Sequence, residues 1–196
     1  QKVQTTRFPV KGVAIEGDCQ IVLVDTPGIF KPKRRLDRAM VRAAQTHAED
    51  ADAVVHVIDA GAEIAVADGV AKGADRLCVD DAEAITEGFV KAGKKAILVL
   101  NKIDLVKRDR LLALVQKLFD TGAYSEVFMI SAANGSGVDD LKARLAELMP
   151  EGPWLYPEDQ TADLPARLLA AEITREKVYL RVHEELPYAA TVETTA

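Results

Sequence analysis

Apolar and polar residues follow different periods in different parts of this chain. Residues 8 to 16 (FPVKGVAIE) and 20 to 25 (QIVLVD) flank a Glu16-Gly17-Asp18 turn, which predicts an antiparallel hairpin. From 36 to 50 the spacing of Leu36, Met40, Ala43 and Ala44 predicts a helix. ADAVVHVIDA (51–60) and KAILVL (95–100) are apolar almost throughout and predict buried strands. Residues 61 to 78 are rich in Gly and Ala and show no clear period. A helix is predicted over 79 to 92, ended by Gly93. Beyond it the pattern predicts a helix near 107 to 121, a strand at EVFMI (126–130) and a helix at 138 to 148. Continuous apolar strands alternating with helices imply an α/β fold with a mostly parallel sheet covered on both faces.

The texture changes at residue 150. PEGPWLYPEDQTADLP holds four prolines without periodicity, so 150–164 reads as a linker. An amphipathic helix is predicted over about 165 to 185, followed by an extended YAATVETT. The domains expected are therefore 1–149, the linker 150–164, and a second unit that starts at 165. The chain has no initiator Met, and TVETTA at its end lies in a strand-like run, so we expect a piece of a longer protein.

Composition narrows this little. With 196 residues, 48% hydrophobic and 29% charged, the chain is ordinary for a globular protein. No apolar run nears the ~20 residues that span a bilayer. Cys19 and Cys78 form no metal-binding pattern and fit a reducing compartment. A net charge of -6 argues against a surface that coats nucleic acid broadly, and leaves a local RNA site open.

Chemistry enters at the carboxyl ends of the predicted strands, where open α/β sheets bind ligands. Asp25-Thr26-Pro27-Gly28 follows QIVLV, Asn101-Lys102-Ile103-Asp104 follows LVL, and Ser131-Ala132-Ala133 follows EVFMI. A carboxylate such as Asp104 can accept two hydrogen bonds from the N1–H and N2–H₂ edge of guanine, which adenine lacks. Asn101 can reach the other edge of the base and tie neighbouring loops, and the stem of Lys102 can lie across the base. Asp104 taken alone also suits a helix N-cap. Asp25 can hold Mg²⁺ through water, and the Gly28 N–H can meet a γ-phosphate, although Pro-Gly turns are common. The Ser131 hydroxyl can brace Asp104, and the Ala132 N–H can address the guanine O6.

These three clusters in this order resemble the signature of translation-factor-class GTPases. KVQTTR (2–7), VDTPGIF (24–30), LYPEDQ (155–160), AAEITREKVYL (170–180) and ELPYAATVE (185–193) narrow the resemblance to the Era family, bacterial GTPases of small-subunit ribosome assembly. The resemblance runs over nearly the whole chain. It implies a P-loop GTPase domain over 1–149 and, over 165–196, the first helix and strand of a KH-type RNA-binding domain. It implies GTP and Mg²⁺ as cofactors, hydrolysis of GTP, and small-subunit rRNA and the small ribosomal subunit as partners. A cytoplasmic monomer with peripheral contact at the inner membrane follows from the same resemblance. Nucleotide would be bound by Asp25, Thr26, Pro27, Gly28, Ile29, Asn101, Lys102, Ile103, Asp104, Ser131 and Ala132. Mg²⁺ would be met by Asp25 and by Thr6, with Thr5 the alternative.

Several residues depart from the family pattern. GFVKAGKK (88–95) mimics G-x-x-x-x-G-K, but Lys95 replaces the Ser/Thr and the segment is predicted to lead from helix to strand, the reverse of a P-loop. The P-loop and the strand before it are expected upstream of Gln1. That strand would lie between 20–25 and 53–59, so the sheet is expected to be interrupted there and the 196 residues alone to be inactive. The chain contains no G-x-x-G of the kind with which KH domains clamp RNA. Ile29 stands where many small GTPases place the Gln that orients water, so slow hydrolysis is expected and no side chain is assigned as catalytic. KPKRRLDR (31–38) suits a solvated loop or an RNA contact. His56 is expected to be a satisfied core residue, and His47 and His183 have no partner at metal-ligand spacing. The competing reading is a non-catalytic scaffold that keeps the guanine pocket without the phosphate machinery.

Overall fold

The computed structural model describes residues 10–25, 51–160 and 174. The predicted helix at 36–50, the expected sites at Thr5, Thr6, Thr26, Pro27, Gly28 and Ile29, the basic run 31–38, His47, His183 and nearly all of 165–196 lie outside them.

The hairpin forms as its pattern predicts. Strands β1 (Val10–Glu16) and β2 (Cys19–Asp25) pair antiparallel around Gly17-Asp18, with Glu16 opposite Cys19 and Val10 opposite Asp25. Strands β3 (Val55–Asp59), β4 (Ala96–Asn101) and β5 (Tyr124–Met129) form a parallel sheet in that order. Among the described residues no ladder joins β2 to β3. The interruption expected between them is present.

Side-chain alternation along β4 divides the core in two. Leu98 and Leu100 face Ile58, Tyr124 and the helices α2 (Gly73–Ala92) and α3 (Arg108–Phe119), through Ala82, Leu111, Leu114 and Leu118. Ile97 and Val99 face the opposite way, onto Ile130, Leu145 of α4 (Val138–Leu148) and Ile21 of β2. Ile21 thus carries the hairpin into the main core. The ion pair of Glu16 with Lys142, at 2.7 Å, adds a surface tie to α4. At the same turn end of the hairpin, the Trp154 indole donates to the Asp18 carbonyl, and Gln20 exchanges three hydrogen bonds with the backbone of Leu155 and Tyr156.

Three boundaries differ from the expectation. ADAVVHVIDA becomes a five-residue strand, because Asp59 caps a new helix, α1 (Ala60–Ala67), inside the stretch that showed no period. Helix α2 starts at Gly73, six residues before the predicted start at 79, with the Asp75 carboxylate accepting from the Lys72 N–H. Strand β5 starts at Tyr124 rather than at 126. Gly93 ends α2 in the left-handed region as predicted, and β4 begins at Ala96, so GFVKAGKK does lead from helix to strand and builds no P-loop. Residues 150–160 form neither helix nor strand. Among the described residues no helix is long and apolar enough to cross a membrane.

Candidate functional site

Parallel pairing aligns the carboxyl ends of β3, β4 and β5. Asp59 lies beside Asn101, and Leu100 beside Met129. The loops after β4 and β5 are then joined by hydrogen bonds. Ile130 N–H donates to the Leu100 carbonyl at 2.8 Å, and Ile103 N–H to the Ile130 carbonyl at 3.3 Å. Asn101 Oδ1 accepts from its neighbour Lys102 N–H at 2.8 Å and, across the sheet, from Ala132 N–H at 3.0 Å. The expected role of Asn101 as a tie between loops is what the geometry shows.

Lys102 has φ 64° and ψ 34°, and is the only non-glycine with positive φ among the described residues. That conformation costs a non-glycine residue about 1 kcal/mol or more, which the Asn101 bond to its N–H helps offset. The turn it makes leads into a single 3-10 turn, Ile103–Leu105. Asp104 sits within this turn, not at its cap, and the cap of α3 is Lys107. The N-cap reading of Asp104 therefore fails. Its side chain is exposed, and among the described residues its carboxylate has no hydrogen-bond or ion-pair partner. Two oxygens with free lone pairs beyond the carboxyl end of the central strand fit the paired donors of guanine.

Two expected details differ, and one partner was not expected. The Ser131 hydroxyl does not brace Asp104: it is buried and has no hydrogen-bond partner among the described residues. Ser131 holds its loop by backbone instead, pairing with Ser136 and accepting from the Gly135 N–H. The Ala132 N–H is directed to Asn101 rather than left free for a base. The Lys102 ammonium is bound by Asp59 Oδ2 at 2.5 Å, and this bond pushes its pKa up. Asp59 was missing from the expected site. The signal was available, since Asp59 also ends an apolar strand, VVHVID, as the other candidate residues do.

The site therefore brings together Asn101, Lys102, Ile103, Asp104, Ser131 and Ala132. Asp25 is the last residue of β2, and its side chain lies outside the described set, as does the remainder of the phosphate and Mg²⁺ side. Among the described residues no cluster of His, Cys, Asp or Glu is arranged to hold a metal.

Residues 1–102 match a family described as 50S ribosome-binding GTPase. The chain is 69% identical over all 196 residues to the GTPase Era of Caulobacter vibrioides strain NA1000, and covers 62% of that protein. It is 64% identical over 193 residues to the GTPase Era of Maricaulis maris, with 98% of this chain and 62% of that protein covered. The chain thus spans about three fifths of the length of these relatives. Among solved structures it is similar to Era in complex with MgGDPNP and nucleotides 1506–1542 of 16S ribosomal RNA, at 36% identity and a TM-score of 0.76, covering 96% of this chain and 60% of that one. It is also similar to Aquifex aeolicus Era bound to GDP and aluminium fluoride, at 38% identity and a TM-score of 0.73, covering 95% and 59%. The fold is that of a P-loop GTPase.

Proposed function

Because the chain belongs to the 50S ribosome-binding GTPase family, we propose that the protein binds GTP with Mg²⁺, hydrolyses it, and uses its nucleotide state to control binding to small-subunit rRNA. One observation carries the nucleotide assignment: an exposed Asp104 carboxylate, unpartnered among the described residues, on a turn whose backbone Asn101 and Ala132 hold in place. Such a carboxylate selects guanine, because adenine presents a lone pair at N1 and no 2-amino group and would leave it unpaired. In this reading Asn101, Lys102, Ile103, Ser131 and Ala132 form the rest of the base pocket. Asp25, Thr26, Pro27, Gly28 and Ile29 address the phosphates, and Thr6 and Asp25 the Mg²⁺ ion, which neutralises charge that develops on the transferred phosphoryl group.

The rRNA assignment is supported by the relative solved with MgGDPNP and a 16S fragment. We assign residues 1–149 to the GTPase domain, 150–164 to the linker and 165–196 to the start of a KH-type domain. We place the protein in the cytoplasm as a monomer that meets the inner membrane only at its periphery.

The test is calorimetric titration of the full-length protein with GTP and ATP in the presence of Mg²⁺, followed by phosphate release and by binding to an RNA of the 16S 3′ region. GTP binding and turnover with no response to ATP are expected. RNA or protein binding without GTP turnover would favour the non-catalytic scaffold instead.

A further inference from the structure

The base pocket proposed above rests on the loops after β4 and β5. The end of β3 supplies one more side chain, Asp59, which stands beside Asn101 in the parallel register. Its carboxylate is held from two directions. Oδ1 accepts from the Ala62 N–H at 3.1 Å, which caps α1. Oδ2 meets Lys102 Nζ at 2.5 Å. The fit around Oδ1 is close: a Cβ on Gly61 would lie 3.3 Å from it, so the glycine leaves the carboxylate its place. The Asp59 side chain is only 17% exposed, whereas that of Lys102 is 46% exposed. One partner is therefore fixed by a strand end and a helix start, and the other reaches in from solvent.

Capping alone does not account for this residue. A cap uses one oxygen, and Asn or Ser supplies it as well as Asp does. The second oxygen and the negative charge serve Lys102. A lysine stem has many rotamers, and anchoring its ammonium selects the few that point toward the anchor. Lys102 is also two residues from Asp104, on the same turn.

We propose that Asp59 is a positioning residue of the base pocket, which holds Lys102 Nζ so that the methylene stem is preset as an apolar platform for the base that Asp104 selects. This rests on the guanine-nucleotide reading above. Asp59 touches no nucleotide in this scheme and acts only through Lys102. A pocket preset in this way loses less freedom when it binds.

The test is a double-mutant cycle in the full-length protein, with GDP as the probe and calorimetry and thermal melting as readouts. Asp59→Asn keeps a capping oxygen for Ala62 and removes the charge. Lys102→Met keeps an unbranched apolar stem and removes the ammonium. Asp59→Asn is expected to weaken GDP binding roughly three- to tenfold while its melting temperature stays at the wild-type value. In the Lys102→Met background the same substitution is expected to change nothing. An equal loss in both backgrounds, no loss in either, or tighter GDP binding by Asp59→Asn would overturn the proposal. If asparagine lowers the melting temperature, Asp59→Ser, a second variant that retains the cap, decides by the same cycle. Wild-type protein that does not prefer GDP to ADP would overturn the guanine reading and this inference with it. Selective wild-type binding with a silent Asp59→Asn overturns this inference alone.

Discussion

At the scale of single residues, Asp104 and His56 show opposite ways of carrying a polar group. Asp104 is exposed on a well-tied turn and has no partner among the described residues, so both its oxygens are open to a donor pair. In the full-length protein, Asp104→Asn should weaken GTP binding and relax it toward xanthosine nucleotides, whose altered edge suits an amide. Competition of GTP and XTP for the variant measures this, and GTP bound as tightly as by wild type would remove Asp104 as the selector. His56 is buried, with Nδ1 at 2.9 Å from the Tyr124 hydroxyl, which lies 2.7 Å from Thr86 Oγ1. The expectation of a satisfied core histidine holds. Burial lowers its pKa to about 4. The unfolded chain therefore takes up this proton first. Stability from a neutral His56 is complete above the ordinary histidine pKa and declines as pH falls toward the folded value. Between pH 7 and pH 5 the loss should be about 2 kcal/mol. Urea unfolding at the two pH values should show it in wild type and not in His56→Leu. Glu63, whose pKa burial raises, acts in the opposite sense and is common to both proteins, so it cancels in the comparison.

At the scale of elements, one residue carries most of each of two connections. Gly137 starts α4 at φ 71°, and a Cβ there would lie 2.4 Å from the Met129 carbonyl oxygen. Backbone cannot yield as a side-chain tip does. Gly137→Ala should cost at least about 2 kcal/mol, from the left-handed conformation and the clash together. It should also weaken guanine-nucleotide binding, because Ser131–Ser136 is the loop that the clash displaces; chemical denaturation and calorimetry report the two effects. Gln20 is the second case. Its Oε1 accepts from both the Leu155 and Tyr156 N–H groups, and its Nε2 donates to the Tyr156 carbonyl. Gln20→Ala removes all three bonds and should speed proteolytic cleavage within 151–160 roughly tenfold, while the melt of the three-stranded sheet stays unchanged. Equal cleavage rates would mean that the linker is held elsewhere.

At the scale of the whole molecule, side chains tie the hairpin to the core, and among the described residues no β-ladder joins it to the three-stranded sheet. Ile21 is buried in the core shared with Val99 and Leu145, yet Leu23 is 47% exposed, Val24 38% and Val57 57%. Apolar residues on both facing strands thus remain in water where a parallel α/β sheet is normally covered. In the 196-residue chain by itself, amides of β1 and β2 should exchange with deuterium well before those of β4, whose Leu98, Val99 and Leu100 are fully buried and paired on both sides. Equal protection of hairpin and sheet would show that Ile21 and the linker ties suffice to make one cooperative unit.

The pattern of apolar residues determined most elements by itself. The hairpin, three parallel strands and α4 at Val138–Leu148 follow from period and turn chemistry, because those features are local. The three polar strand ends were equally legible, since a buried strand rarely closes on several polar groups without use for them. Helix α1 and the first six residues of α2 were not, because Gly and Ala in 61–78 carry little amphipathic signal and Asp59 and Asp75 act as caps only once the chain has turned. The partners of the polar groups also needed the fold. Asn101 meets Ala132 across 31 residues, Lys102 meets Asp59 across 43, and His56 meets Tyr124 across 68. A sequence names the donors and acceptors, but a hydrogen bond is satisfied at about 3 Å in space, and parallel pairing of β3, β4 and β5 is what brings such distant residues to that distance.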